Sequence, residues 1–168
     1  VSVTFTYFAA PDDEAAAATI DWPGGPARAP TEERSPRHVS AETDSAVASN
    51  GFPSVEGGFD PVMQAGTLTA ILAERDYDEI SGEPGWGRLI AARDGGEGLV
   101  LALPPAVGDL LADRSAARLE QAAVAWAETE EFWGQADPGS LGGMLGELRE
   151  LARTARSTGS QLYCWICV

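Results

Sequence analysis

Arg88-Leu89-Ile90-Ala91-Ala92 and Leu99-Val100-Leu101-Ala102-Leu103 flank the stretch Asp94-Gly95-Gly96-Glu97. Two apolar runs on either side of a turn that tolerates positive φ read as a β-hairpin. Upstream of it, Val3, Phe5 and Tyr7 alternate with Thr4, Thr6 and Phe8, which is the period of a strand. Pro11-Asp12-Asp13-Glu14 then sets a proline and three acids where a first helical turn favours them, and the helix is expected to run to Ile20. Asp60-Pro61 opens a second helix with Val62, Ala65, Leu68 and Leu72 along one side, ending near Arg75.

Downstream of the hairpin the pattern turns helical. Pro104-Pro105 starts a short helix, and Ser115 caps a longer one that carries Leu119, Ala123 and Trp126. Asp137-Pro138 starts a third, with Leu141, Leu145, Leu148, Leu151 and Ala155 as its buried stripe, and Gly159 is placed to end it. From Gln161 onward Leu162, Cys164 and Ile166 alternate with Tyr163, Trp165 and Cys167, a closing strand. The order predicts a single α+β domain over residues 1–168. Its sheet is mostly antiparallel, of about four strands including a central hairpin, with helices packed mainly on one side. The apolar first and last strands are expected to be central or covered. Residues 22–58, rich in proline and glycine, read as a mobile loop that carries Arg34, Arg37 and His38.

Composition narrows the function classes. The chain has 168 residues with 26 acids against 11 arginines, a formal charge of −15, and no lysine at all. Without lysine there is no Walker-type phosphate loop and no Schiff-base chemistry. With His38 as the only histidine, sites built from several imidazoles are excluded and a Ser-His-Asp reading is weakened. Net acidity argues against nucleic acid, whose binding draws on Lys and Arg. No apolar run approaches the ~20 residues that cross a bilayer. The first residues lack the basic and apolar segments of a signal peptide, so a cytoplasmic location is expected. Nothing in the sequence calls for a cofactor.

Three constellations are candidates for chemistry. Cys164-Trp165-Ile166-Cys167 has the spacing of a redox or zinc pair. In a strand, residues i and i+3 point to opposite faces, so no disulfide is expected, and no second pair exists to complete a metal site. Glu128, Glu130, Glu131 and Asp137 surround Trp126, Phe132 and Trp133. A carboxylate desolvated against an aromatic can act as a general acid or base. On a continuing helix Glu128 and Glu131 share one face while Glu130 falls beside Trp126. Glu130 and Glu131 are therefore the catalytic candidates, and Trp126, Trp133 and Glu128 the binding candidates. The bland alternative is a solvated helix end with an aromatic anchor. Arg149, Arg153 and Arg156 recur near a helix C-terminus, where they complement the macrodipole more readily than they bind an anion.

Thr6-Tyr7-Phe8-Ala9, followed by an acidic helix start, resembles the opening of the YfbM-like bacterial family of unknown function, and the last helix with its apolar strand is similar to that family's C-terminus. Glu130-Glu131-Phe132-Trp133-Gly134 and Leu162-Tyr163-Cys164-Trp165 resemble uncharacterised acidic proteins of actinomycetes. The resemblance implies an α+β fold and a cytoplasmic bacterial origin, and it carries no activity or site residue.

Strong acidity without a catalytic constellation points to a non-enzymatic module that binds or regulates a protein partner with a basic surface. The alternative is a small hydrolase-like enzyme using Glu130 or Glu131 beside the tryptophans. A third reading is a homodimer that uses exposed aromatics or the edge of the terminal strand. Residues 120–150 hold seven acids against Arg149, a local charge of −6.

Overall fold

The computed structural model describes residues 2–30 and 51–168. Its strands are β1 (Thr4–Ala10), β2 (Ser54–Gly57), β3 (Arg88–Arg93), β4 (Gly98–Ala102) and β5 (Gln161–Cys167). Its α-helices are α1 (Asp13–Ala18), α2 (Met63–Ala73), α3 (Tyr77–Ser81), α4 (Pro105–Asp113), α5 (Ala116–Ala127) and α6 (Pro138–Thr158). All strand pairings are antiparallel, in the order β2-β1-β5-β4-β3. The chain is a single α+β domain.

The hairpin forms as its turn chemistry dictates, with Asp94, Gly95 and Gly96 all at positive φ. It takes one side of the sheet, however, and not its middle. The centre belongs to β5, paired with β1 on one edge and β4 on the other, as its apolar residues required. A dimer through the edge of β5 is thereby closed off, because both of its edges are already hydrogen-bonded.

The fifth strand corrects the reading of residues 22–58 as one loop. Ser54–Gly57 pair with Phe5–Phe8 of β1. Before it, the Phe52 amide donates to the Pro26 carbonyl at 2.8 Å, and Trp22 stacks on Phe52 with ring centres 5.5 Å apart. Both described flanks of that stretch are therefore folded against the sheet. His38, Arg34 and Arg37 lie outside the described residues.

Alternation along the strands divides the interior in two. Tyr7, Leu101, Leu162 and Cys164 face the large core under α2, α4, α5 and α6. Phe8, Val100, Ala102 and Tyr163 face the other side, a smaller cluster closed by Ala16 of α1 and by Ile20. α5 and α6 begin at the caps the sequence marks, and α6 ends at its glycine. Ser115 accepts from the Arg118 amide, Asp137 accepts from the Ser140 amide, and Gly159 closes α6 at φ 67°. The stripe Leu141, Leu145, Leu148, Leu151 and Ala155 is buried.

Several arginines are structural. Arg118 and Arg114 donate to the carbonyls of Ile71 and Leu72 in the last turn of α2, where intrahelical hydrogen bonding runs out. Arg156 bridges α6 to α4 through Asp113 at 2.7 Å and Asp109 at 3.1 Å. Arg153 of the same stripe donates to the Ala112 carbonyl, so this row pins α6 in place. Among the described residues no helix is long and apolar enough to cross a membrane.

Candidate functional site

The acidic stretch after α5 does not continue the helix. Thr129 takes an extended conformation with ψ 153°, Glu130–Phe132 form one 3-10 turn, and Trp133 enters the left-handed region at φ 55°. The helical spacing expected for Glu128, Glu130 and Glu131 is therefore absent, because α5 ends at Ala127. Glu128 and Glu130 are exposed. Glu131 turns inward to α2, where one carboxylate oxygen accepts the Thr67 hydroxyl and the other is shut off from solvent with no partner among the described residues.

The tryptophans part company here. Trp126 is fully buried, edge-on to Phe59 and to Phe132 at 5.0 Å each, and its indole N–H donates to the Gln64 carbonyl at 3.0 Å. That hydrogen bond satisfies the one polar atom of a large apolar side chain, so Trp126 is a core anchor and offers no surface to a ligand. Trp86 donates to the Val62 carbonyl and its ring lies over Gly66. Trp165 covers Gly25. Trp133, by contrast, is 85% exposed at the crest of the turn.

Cys164 and Cys167 are both free thiols, and strand alternation sends them to opposite faces of the sheet. Burial pushes the Cys164 thiol well above its ordinary pKa, so it is a protonated core residue and no nucleophile.

A second constellation was not visible in the sequence. Arg88 pairs with Ala102 on β4, and Ala102 pairs with Tyr163 on β5. Residues directly opposite one another in a sheet share a face, so this row sets the Arg88 and Tyr163 side chains on the face that α1 covers. Asp13, in the first turn of α1, meets both. Its carboxylate accepts from the Arg88 guanidinium at 2.7 and 3.2 Å and from the Tyr163 hydroxyl at 2.8 Å. The Arg88 hydrogen bond, and after it the Tyr163 one, holds the Asp13 pKa below the usual carboxylate range. Burial, reinforced by the Asp13 charge, pushes the Tyr163 phenol above its usual value, so the hydroxyl stays a donor.

This trio lines an open hollow of about 810 Å³ at the end of the sheet where β1 and β4 finish and β3 and β5 begin. Glu128, Glu130 and Glu131 line neither it nor two smaller hollows of about 130 and 20 Å³. Arg88, Asp13 and Tyr163 are far apart in the chain, and only strand register and the packing of α1 on the sheet unite them. No local sequence signal would have found them. Among the described residues no group of three or more His, Cys, Asp or Glu side chains is placed to hold a metal ion.

No protein-family model, curated protein or solved structure matches the chain. The functional reading therefore rests on its own residues.

Proposed function

We propose that this protein is a binding module for a partner protein with a basic surface, docking at the turn between α5 and α6. The observation that carries the reading is Trp133, 85% exposed and fixed in a left-handed conformation on an acidic stretch of the chain. Tryptophan is the side chain most enriched where binding energy concentrates, and leaving one in water has no folding benefit. Glu128, Glu130 and Asp137 are exposed around it, and their charge favours encounter with a basic partner. Met63, 59% exposed, begins the helix whose Thr67 holds Glu131, which extends the apolar surface beside the turn.

A hydrolase built on Glu130 and Glu131 has less in its favour: the first is exposed and the second is tied to Thr67 away from any hollow described above. Affinity capture from native lysate at low and high salt tests the proposal, with the wild type and Trp133→Ala as baits. A stoichiometric basic partner is expected at low salt, weakened at high salt and lost with the variant. No partner at either salt, or capture indifferent to Trp133, overturns it.

A further inference from the structure

We infer that Thr67, on α2, is a positioning residue for the docking turn: its hydroxyl holds Glu131 inside and thereby keeps Trp133 displayed. This role rests on the docking reading above, under which Thr67 sets partner affinity without touching the partner. Glu131 is the middle residue of the 3-10 turn Glu130–Phe132, and Trp133 lies two residues beyond it. One of its carboxylate oxygens has lost solvent without gaining a partner among the described residues. The other accepts the Thr67 hydroxyl. None of the ion pairs among the described residues includes Glu131. Thr67 is therefore the one side-chain donor that lets this carboxylate stay inside. A carboxylate drawn out of water is tolerated when hydrogen-bonded, and without a donor it returns to solvent.

The hydroxyl has a second place for its single hydrogen, the Met63 carbonyl one turn earlier at 3.3 Å. Glu131 is the nearer acceptor. The contact is thus one that the turn needs and that α2 can do without. The other polar tie from the turn to α2 is the Gln64 amide, a long donor to the Glu131 carbonyl at 3.5 Å. Phe132, edge-on to Trp126, anchors the next residue. With Glu131 and Phe132 both held, the backbone leaves the turn at φ 55° and Trp133 points into solvent.

Backbone order parameters from ¹⁵N relaxation test the tether without a partner. In the wild type, residues 130–134 should lie near the rigid value of about 0.85, and in Thr67→Val they should fall below about 0.6 while α5 and α6 keep theirs. Thr67→Ser, which restores the hydroxyl, should return the wild-type values. Glu131→Ala cuts the tether without altering α2, and it should loosen the turn as Thr67→Val does. The double variant should be no looser than either single one, as expected of two residues in one contact. Unchanged order in both single variants would mean that Phe132 and the turn's own backbone hydrogen bonds suffice, and would overturn the inference. Equal mobility in Thr67→Ser and Thr67→Val would overturn it too. In the lysate capture, Thr67→Val bait should retain no more than a tenth of the partner. Loss with Trp133→Ala but full retention with Thr67→Val overturns the inference and leaves the docking reading standing. A loosened turn together with capture indifferent to Trp133 overturns the docking reading and leaves the tether standing.

Discussion

Trp126 is sealed between Phe59 and Phe132 with its indole N–H satisfied, whereas Trp133, in the same acidic stretch, stands 85% in solvent. The same residue type serves folding in one place and remains unspent in the other. What separates them is the backbone between. Thr129 leaves the helix, and the 3-10 turn that follows directs Phe132 back to Trp126 and Trp133 outward. The proposed docking surface rests on this contrast: an aromatic that the fold does not use, beside charges it does not neutralise.

The largest expected effect tests the buried member. Trp126→Ala should cost about 3–5 kcal/mol, since it removes a large core side chain and its hydrogen bond to the Gln64 carbonyl. Urea denaturation reads this as a shift in midpoint, and a loss under 1 kcal/mol would break the contrast. Next in size is Tyr163→Phe, expected to cost about 1–2 kcal/mol through the hydrogen bond to Asp13. Its pH dependence follows from the direction of the Asp13 shift. The folded-state pKa is lowered, so the stabilisation is fully present above the unfolded carboxylate pKa of about 4 and is lost as pH falls through the folded value. The stability gap between wild type and Tyr163→Phe should therefore narrow in acid, and a gap constant down to about pH 2 would contradict the coupling. The smallest effect belongs to the exposed tryptophan. Trp133→Ala should change stability by no more than about 0.5 kcal/mol. Trp133→Gly should match it or gain up to about 1 kcal/mol by relieving the positive φ. A large destabilisation by either would mean that Trp133 supports the fold.

Local signals were legible, and those that depend on assembly were not. Ser115, Asp137 and Gly159 marked helix ends because capping involves only residues within one turn. The hairpin and β5 were readable from alternation and turn chemistry. Ser54–Gly57 was missed because four residues, mostly half-buried at a sheet edge, have too little periodicity to stand out from their loop. Tyr77–Ser81 was missed for a similar reason, a five-residue helix with Ile80 as its buried residue. The helix was carried past Ala127 in error, since nothing in Glu128-Thr129-Glu130 forbids helix, and tertiary contacts from Phe132 to Trp126 and from Glu131 to Thr67 decide the break. In the candidate region, Trp133 and its acids were named from sequence, but Trp126 was misplaced among binding residues. The Asp13–Arg88–Tyr163 trio was invisible because pairing between strands distant in the chain leaves no local trace.

The position of β5 has a consequence for how the protein is made. Among the described residues it alone bridges the β2-β1 ribbon and the β4-β3 ribbon. During synthesis both ribbons emerge before residues 161–167 do, and a two-stranded ribbon alone is marginal in water. The sheet therefore cannot close progressively as the ribosome advances. Both ribbons must wait, with one edge each unpaired, until residues 161–167 arrive between them, and until then those edges are open to mispairing.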